Sequence, residues 1–278
     1  MTAAKTTHTL KVPGASLYYE VRGSGPVLLM IPGGPTDAGI FDSFVPHLTD
    51  RYTTVAMDPR GNSRSRFDGA PVDQDMDVHA DDAAAVIDAI GQGPALVFGS
   101  SGGAQIGLNL AARHPGKVKA LVAHEPPCIQ MLPDAAEVAS GMEEVYGAYA
   151  QGGVAPAMAK FHALTGLGDG PAPGDGPPAP PSPNTMEMFG RIGGNMDYFL
   201  GHGRPISFYV PPVETLRTGA PRVLIGVGET SGGELAHRAA SALAWKLGQD
   251  PVVFPGDHGG YSGWPEAFAQ VLDKALIA

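Results

Sequence analysis

The residues best suited to chemistry stand together as Gly99-Ser100-Ser101-Gly102-Gly103. The apolar run Ala95–Phe98 leads into them and Ile106–Ala112, with helical spacing, follows, so a strand passes into a helix through a G-x-S-x-G turn. Glycines at 99 and 103 remove the β-carbons that would clash in so tight a turn, leaving Ser101 strained with its hydroxyl directed away from the sheet. The amide of Gly102 then lies at a helix N-terminus, suited to hold a developing oxyanion. Such a serine needs a base to accept its proton, and nine histidines are the candidates. Gly-Ser turns between strand and helix also bind phosphate, but the G-x-G-x-x-G spacing is absent and the turn lies past several strands rather than after the first.

The elements that must carry this turn are short apolar strands alternating with longer amphipathic helices, the pattern of βα units around a largely parallel sheet. A hairpin of Leu10–Val12 and Leu17–Val21 around Pro13-Gly14 comes first. The buried strand Val27–Ile31 follows, ending at Pro32-Gly33-Gly34-Pro35. Further strands are expected at Thr54–Met57, Val118–Ala123, Val223–Val227 and Val252–Phe254, with helices at Ala38–Leu48, Met76–Ile90, Glu234–Leu247 and Pro265–Leu276. From 127 to 220 the rhythm breaks: no strand is convincing, and Pro171–Pro183 reads as a mobile loop between helices because most of its backbone donors are missing. The expectation is an α/β fold: a mostly parallel central sheet of about eight strands flanked by helices, built from residues 1–126 and 221–278, with a helical cap inserted at 127–220.

Over nearly its whole length the chain resembles the α/β-hydrolase fold superfamily, in its serine hydrolase branch with a helical cap. Ser101 matches the nucleophile elbow of that family, and the resemblance implies a second oxyanion amide in the loop after the third strand, here Gly34. Many members carry His where this chain has Pro32. Asp58-Pro59-Arg60-Gly61-Asn62-Ser63 resembles the family's D-x-R-G-x-G turn, with Ser63 in place of the second glycine, and is read as structural. The resemblance also implies the base: His258, in Pro255-Gly256-Asp257-His258-Gly259-Gly260 after the last strand, follows Ser101 in the order Ser…acid…His. Of the other histidines, His124, His162 and His202 are expected in the pocket lining and His114 at a helix C-terminus.

The acid is less plain. The family's usual G-x-x-D reads Gly228-Glu229-Thr230-Ser231 here, and serine cannot balance an imidazolium as a carboxylate does. Two glutamates could take its place. Glu125 ends the preceding strand, where the segment resembles haloalkane dehalogenases whose acid is a glutamate; parallel strands lie about 4.8 Å apart, so the longer side chain could reach the same nitrogen. Glu125 is the expected acid and Glu229 the alternative, while Asp257 reads as a turn residue. The dehalogenases' reaction does not transfer, because they attack with an aspartate where this chain has Ser101.

A serine nucleophile favours acyl transfer, so the expected activity is hydrolysis of an ester or lactone through an acyl-enzyme. Carbon–carbon bond hydrolysis and cofactor-free perhydrolysis use the same triad, and a non-catalytic ligand-binding protein on a hydrolase scaffold is a further alternative. The insertion is rich in large apolar residues such as Met142, Met158, Phe161 and Phe199 without a cluster of Arg or Lys, which predicts an adaptable pocket for a neutral or weakly polar small molecule. No cofactor is expected, and no spacing suggests a metal. With 28 acidic against 18 basic residues the formal charge is −10, which argues against nucleic acid. The lack of a long apolar run argues against a membrane span, and Cys128, the one cysteine, reads as buried and inert in a cytoplasmic protein; self-association is left open.

Overall fold

The computed structural model describes residues 4–167, 182–219 and 221–277. The strands are β1 (Thr6–Val12), β2 (Ala15–Gly23), β3 (Val27–Ile31), β4 (Thr53–Met57), β5 (Arg66–Phe67), β6 (Ala95–Ser100), β7 (Val118–His124), β8 (Arg222–Gly228) and β9 (Val252–Phe254). They form one sheet in the order β1-β2-β4-β3-β6-β7-β8-β9, with β5 paired to β2. β1 and β2 form an antiparallel hairpin, and β2 meets β4 antiparallel. From β4 through β3 and β6 to β9 every neighbouring pair is parallel, so these strands end on one side.

The central strands are apolar throughout because each feeds two cores, successive side chains pointing to opposite faces. Val27, Leu29 and Ile31 pack on one face with Val97, while Leu28 and Met30 pack on the other with Phe98. Helices α1 (Met76–Ile90), α2 (Gly102–Arg113) and α8 (Leu235–Leu247) cover the first face. The second is covered by α10 (Pro265–Ile277), whose Phe268 meets Phe44, Phe98 and Phe254 edge-on or tilted.

Between β7 and β8 the described residues form only helices: the 3₁₀ turn Ile129–Met131, then α3 (Ala135–Gly152), α4 (Val154–Thr165), α5 (Pro183–His202), α6 (Arg204–Ser207) and α7 (Val213–Thr218). The expected loop Pro171–Pro183 lies outside the described residues except for Ser182 and Pro183, which begin α5: the Ser182 side chain caps it by accepting from the Thr185 amide at 3.2 Å. The long helix expected at Ala38–Leu48 is instead two 3₁₀ turns, Ala38–Phe41 and Val45–His47. Pro46 cannot donate to a continuous helix, and the Asp37 side chain accepts from the Gly39 amide in a tight turn. A short helix α9 (Gly260–Gly263) follows β9 and was not legible in the apolar pattern.

Candidate active site

Ser101 sits between β6 and α2 at φ 55°, ψ −125°, a conformation that an L-residue adopts only when its surroundings enforce it. The enforcement is steric. A Cβ on Gly99 would fall 2.4 Å from the Gly103 carbonyl oxygen, and one on Gly103 would fall 2.1 Å from that of Ile31. The Ser101 amide donates to the His124 carbonyl at 2.9 Å, tying the turn to the end of β7.

Because β3 lies beside β6, the loop after β3 reaches this turn. A Cβ on Gly33 would meet Ser101 Cβ at 2.6 Å, and a Cβ on Gly102 would lie 3.3 Å from the Gly34 nitrogen, so Gly34 and Gly102 are adjacent as expected. Asn62 pins the loop by donating from Nδ2 to the carbonyls of Gly34 and Thr36, each at 2.9 Å. Ser63, where the related turn has glycine, adopts φ 50°, and Asn195 of α5 holds it by accepting from its amide at 2.8 Å and donating to Pro35 O at 2.7 Å. Neither asparagine carried a signal in the sequence, since their partners are distant backbone groups.

Glu125 stands one residue past β7, fully buried, with φ 47°. Its amide donates to Gly226 O on β8 at 2.9 Å, and its carboxylate crosses toward the same strand. Oε2 lies 2.6 Å from His258 Nδ1, while Oε1 accepts from the Gly228 amide at 2.8 Å and from the Ser231 hydroxyl. Burial alone would raise the carboxyl's pKa. The hydrogen bond and charge of His258, together with the Ser231 bond, outweigh it and hold the group down at about 2. Glu229 is exposed on the loop after β8, with only its backbone amide tied, to Phe254 O.

Ser101, Gly34, Gly102 and His258 line one cavity of ≈ 250 Å³. Among the described residues no hydrogen bond joins Ser101 to His258; catalytic pairs often tighten only when substrate binds. The segment between β7 and β8 contributes Met142, Met158, Phe161, Leu167 and Phe199, and no Arg, Lys, Asp or Glu is among the described lining residues. His79 lines the wall, whereas the expected His124, His162 and His202 do not. His124 is packed among Phe98, Phe254, Tyr261 and Phe268, and burial lowers its pKa to about 3. His162 is exposed, and His202 pairs with Asp73 at 2.9 Å. His114 caps the C-terminus of α2, and its Nε2 lies 2.6 Å from Asp81 Oδ1.

Cys128 is buried, and burial pushes its thiol up to about 12, an inert state. Glu125, Glu234 and His258 bring ligand-type atoms within 4.8 Å of one another, but Glu125 and His258 Nδ1 face each other as a hydrogen-bonded pair. No helix among the described residues is long and apolar enough to cross a membrane.

The mostly parallel sheet flanked by helices, with the strained Ser101 turn passing from β6 into α2, is the fold of the α/β hydrolases. Residues 26–169 match the alpha/beta hydrolase fold family, and the chain belongs to it. It is 33% identical over 275 residues, 96% of this chain and 95% of the relative, to an uncharacterized hydrolase, YraK, of Bacillus subtilis (strain 168). It is 34% identical over 108 residues, 39% of this chain and 38% of the relative, to a 2-(acetamidomethylene)succinate hydrolase of Mesorhizobium japonicum. Among solved structures, a thermophilic esterase from Thermogutta terrifontis shares the fold at a TM-score of 0.73 and 18% identity, over 99% of this chain and 98% of that one.

Proposed function

We propose that this protein is a serine hydrolase that opens an ester or lactone bond of a small, uncharged, largely apolar substrate through an acyl-enzyme. Ser101 Oγ attacks the carbonyl carbon while His258 Nε2 takes its proton. Glu125 holds the imidazole by Nδ1 and balances the imidazolium that forms. The oxyanion is received by the amides of Gly34 and Gly102. Collapse expels the alcohol, protonated by His258, and a water activated by the same imidazole releases the acid; in a lactone both products remain one molecule.

The observation that carries this reading is the buried Glu125 carboxylate 2.6 Å from His258 Nδ1, with that imidazole and Ser101 on the wall of one cavity. The substrate class follows from the wall. The succinate in the name of the Mesorhizobium japonicum relative is anionic and would call for a cationic partner, and no Arg or Lys is among the described lining residues. The test is labelling by a fluorophosphonate followed by peptide mass spectrometry, with native protein and His258→Ala compared. Rapid labelling of Ser101 that needs His258 is expected, together with turnover of neutral esters or lactones above matched anionic ones. An unlabelled Ser101 in folded protein would sink the acyl-enzyme and leave a binding role.

A further inference from the structure

Ser231 holds a place that the triad does not explain. It lies on the loop after β8, where the related G-x-x-D pattern would put its carboxylate, and it is 1% exposed. Its hydroxyl has three neighbours: Glu125 Oε1, His237 Nδ1 at 3.1 Å and Gly228 O at 3.2 Å. One hydroxyl carries one hydrogen, and the closest acceptor, the carboxylate, is also the strongest. The hydrogen therefore goes to Glu125, which leaves the Ser231 oxygen to accept from His237 Nδ1–H.

We propose that Ser231 is a positioning residue that aims the Glu125 carboxylate at His258 and couples it to a second imidazole, His237. The proposal rests on the reading of Ser101, His258 and Glu125 as a triad. A chain of bonds then runs from His237 through Ser231 to Oε1, while Oε2 faces His258 at 2.6 Å. The arrangement answers a need created by the acid's location. A glutamate has one more torsion than an aspartate, and Glu125 also leaves the strand with a positive φ, so Oε1, held by the Gly228 amide alone, would fix the carboxylate's rotation about the Oε2–His258 bond less firmly than it does with the Ser231 hydroxyl beside it.

Coupling follows from sharing. His237 Nδ1 is 3.5 Å from Glu125 Oε1 while His258 Nδ1 is 2.6 Å from Oε2, so the two imidazoles share one carboxylate. Other groups facing this node are His124, buried and held neutral, and Glu234, whose carboxylate lies in the same cluster; Arg238 of α8 is engaged with Asp134.

The experiment measures kcat, KM and the pH profile of kcat/KM on a neutral nitrophenyl ester for native protein, Ser231→Ala, His237→Asn and Glu125→Gln. It adds the pair Glu125→Ala and Glu125→Ala/Ser231→Asp. Ser231→Ala should lower kcat about ten- to a hundredfold, with KM within about twofold, as losses of supporting hydrogen bonds to a reacting group do. Its acid limb should move to higher pH, because a carboxylate relieved of one donor faces His258 with more charge. His237→Asn keeps a neutral donor and should move the limb the same way by less. Where Ser231→Ala does not fold, the double variant decides: Ser231→Asp should raise the kcat of Glu125→Ala at least about tenfold by returning a carboxylate from the neighbouring strand's loop. Native-like kcat and pH profile in Ser231→Ala, or no gain in the double variant, while Glu125→Gln is impaired, would overturn the positioning role alone. An unimpaired Glu125→Gln would instead overturn the triad and this proposal with it.

Discussion

Glu125→Gln is the change from which most can be worked out. The substitution keeps the shape of a fully buried side chain and removes its charge. Two donors, the Gly228 amide and the Ser231 hydroxyl, point at Oε1, so the new carbonyl oxygen must stay there to avoid leaving them unpaired. The new NH₂ then takes the place of Oε2, 2.6 Å from His258 Nδ1. Facing a donor, Nδ1 must accept, and the ring's hydrogen moves to Nε2, the atom that has to receive the proton of Ser101. The imidazolium of the transition state also loses its counter-charge, worth about 6 kcal/mol at that separation and an effective dielectric of about 20 before compensation by rearrangement. A loss of about 10³- to 10⁴-fold in kcat is expected, or about 4 to 5.5 kcal/mol, with KM changed less than about threefold. Steady-state hydrolysis of a neutral nitrophenyl ester reads both constants, and circular dichroism confirms that the variant is folded. Glu229→Gln, on an exposed side chain, is the matched control and should stay within about twofold. A loss below about tenfold for Glu125→Gln, or a larger one for Glu229→Gln, would refute the reasoning.

Three other perturbations probe the same region. Gly33→Ala puts a methyl 2.6 Å from Ser101 Cβ and 2.7 Å from the Gly102 nitrogen, so kcat should fall at least about tenfold with a lowered melting temperature; a fully active, fully stable variant would show that the two loops are not locked together. His124→Phe should keep at least about half of kcat and melt no earlier than native protein, because among the described residues neither ring nitrogen has a hydrogen-bond partner and the site is walled by aromatic rings; a large loss of kcat would give His124 a role that its burial hides. Low pH provides the third. Glu125 is depressed from 4.5 to about 2, so its stabilising contribution is present above about pH 4.5 and is lost as pH falls toward 2. The stability that Glu125 adds should be about 3 kcal/mol at pH 6 and smaller by about 2 kcal/mol at pH 3, and urea titrations of native protein and Glu125→Gln should show their gap narrowing to match.

Val27–Ile31 was legible because burial on both faces writes it as an unbroken apolar run, and Val252–Phe254, an edge strand, was legible from its apolar composition alone; both have the observed limits. Met76–Ile90 also has the expected limits, and in the structure the Asp75 side chain caps it by accepting from two amides while Gly91 ends it in a left-handed conformation. The stretch after Pro35 misled for a local reason, its apolar spacing being helical while Asp37 and Pro46 break the ladder into 3₁₀ turns. At the site, Ser101 and the loop of Gly33 and Gly34 could be found because their chemistry depends on backbone shape, which short motifs encode. The pocket histidine was misjudged because His79 and His124 differ in which face of their element they occupy, and that is set by packing partners far away in the chain. The roles of Asn62, Asn195 and His237 carried no signal for the same reason, each acting through a partner in another segment, and Ser231 stood out in the sequence only as a residue unable to serve as the acid.

What unites these long-range partners is the common end of β7, β8 and β9. His124 pairs with Gly226 and Gly228 with Phe254, so three parallel strands deliver residue 125, the loop after 228 and the loop after 254 to one point. The two loops are laced together by the Glu229 amide on Phe254 O at 2.9 Å and the Thr230 amide on Gly256 O at 3.0 Å. Gly228 has no room for a side chain there, since a Cβ would fall 2.7 Å from Ser231 Oγ and 2.8 Å from Gly256 O. A carboxylate entering this node from β7 and one entering from the loop after β8 would therefore arrive at nearly the same place, each able to face His258. On the proposed triad, a serine at 231 and a glutamate at 125 are therefore one feature of the sequence rather than two: the loop gives up the acid and keeps a hydroxyl that holds the glutamate from β7.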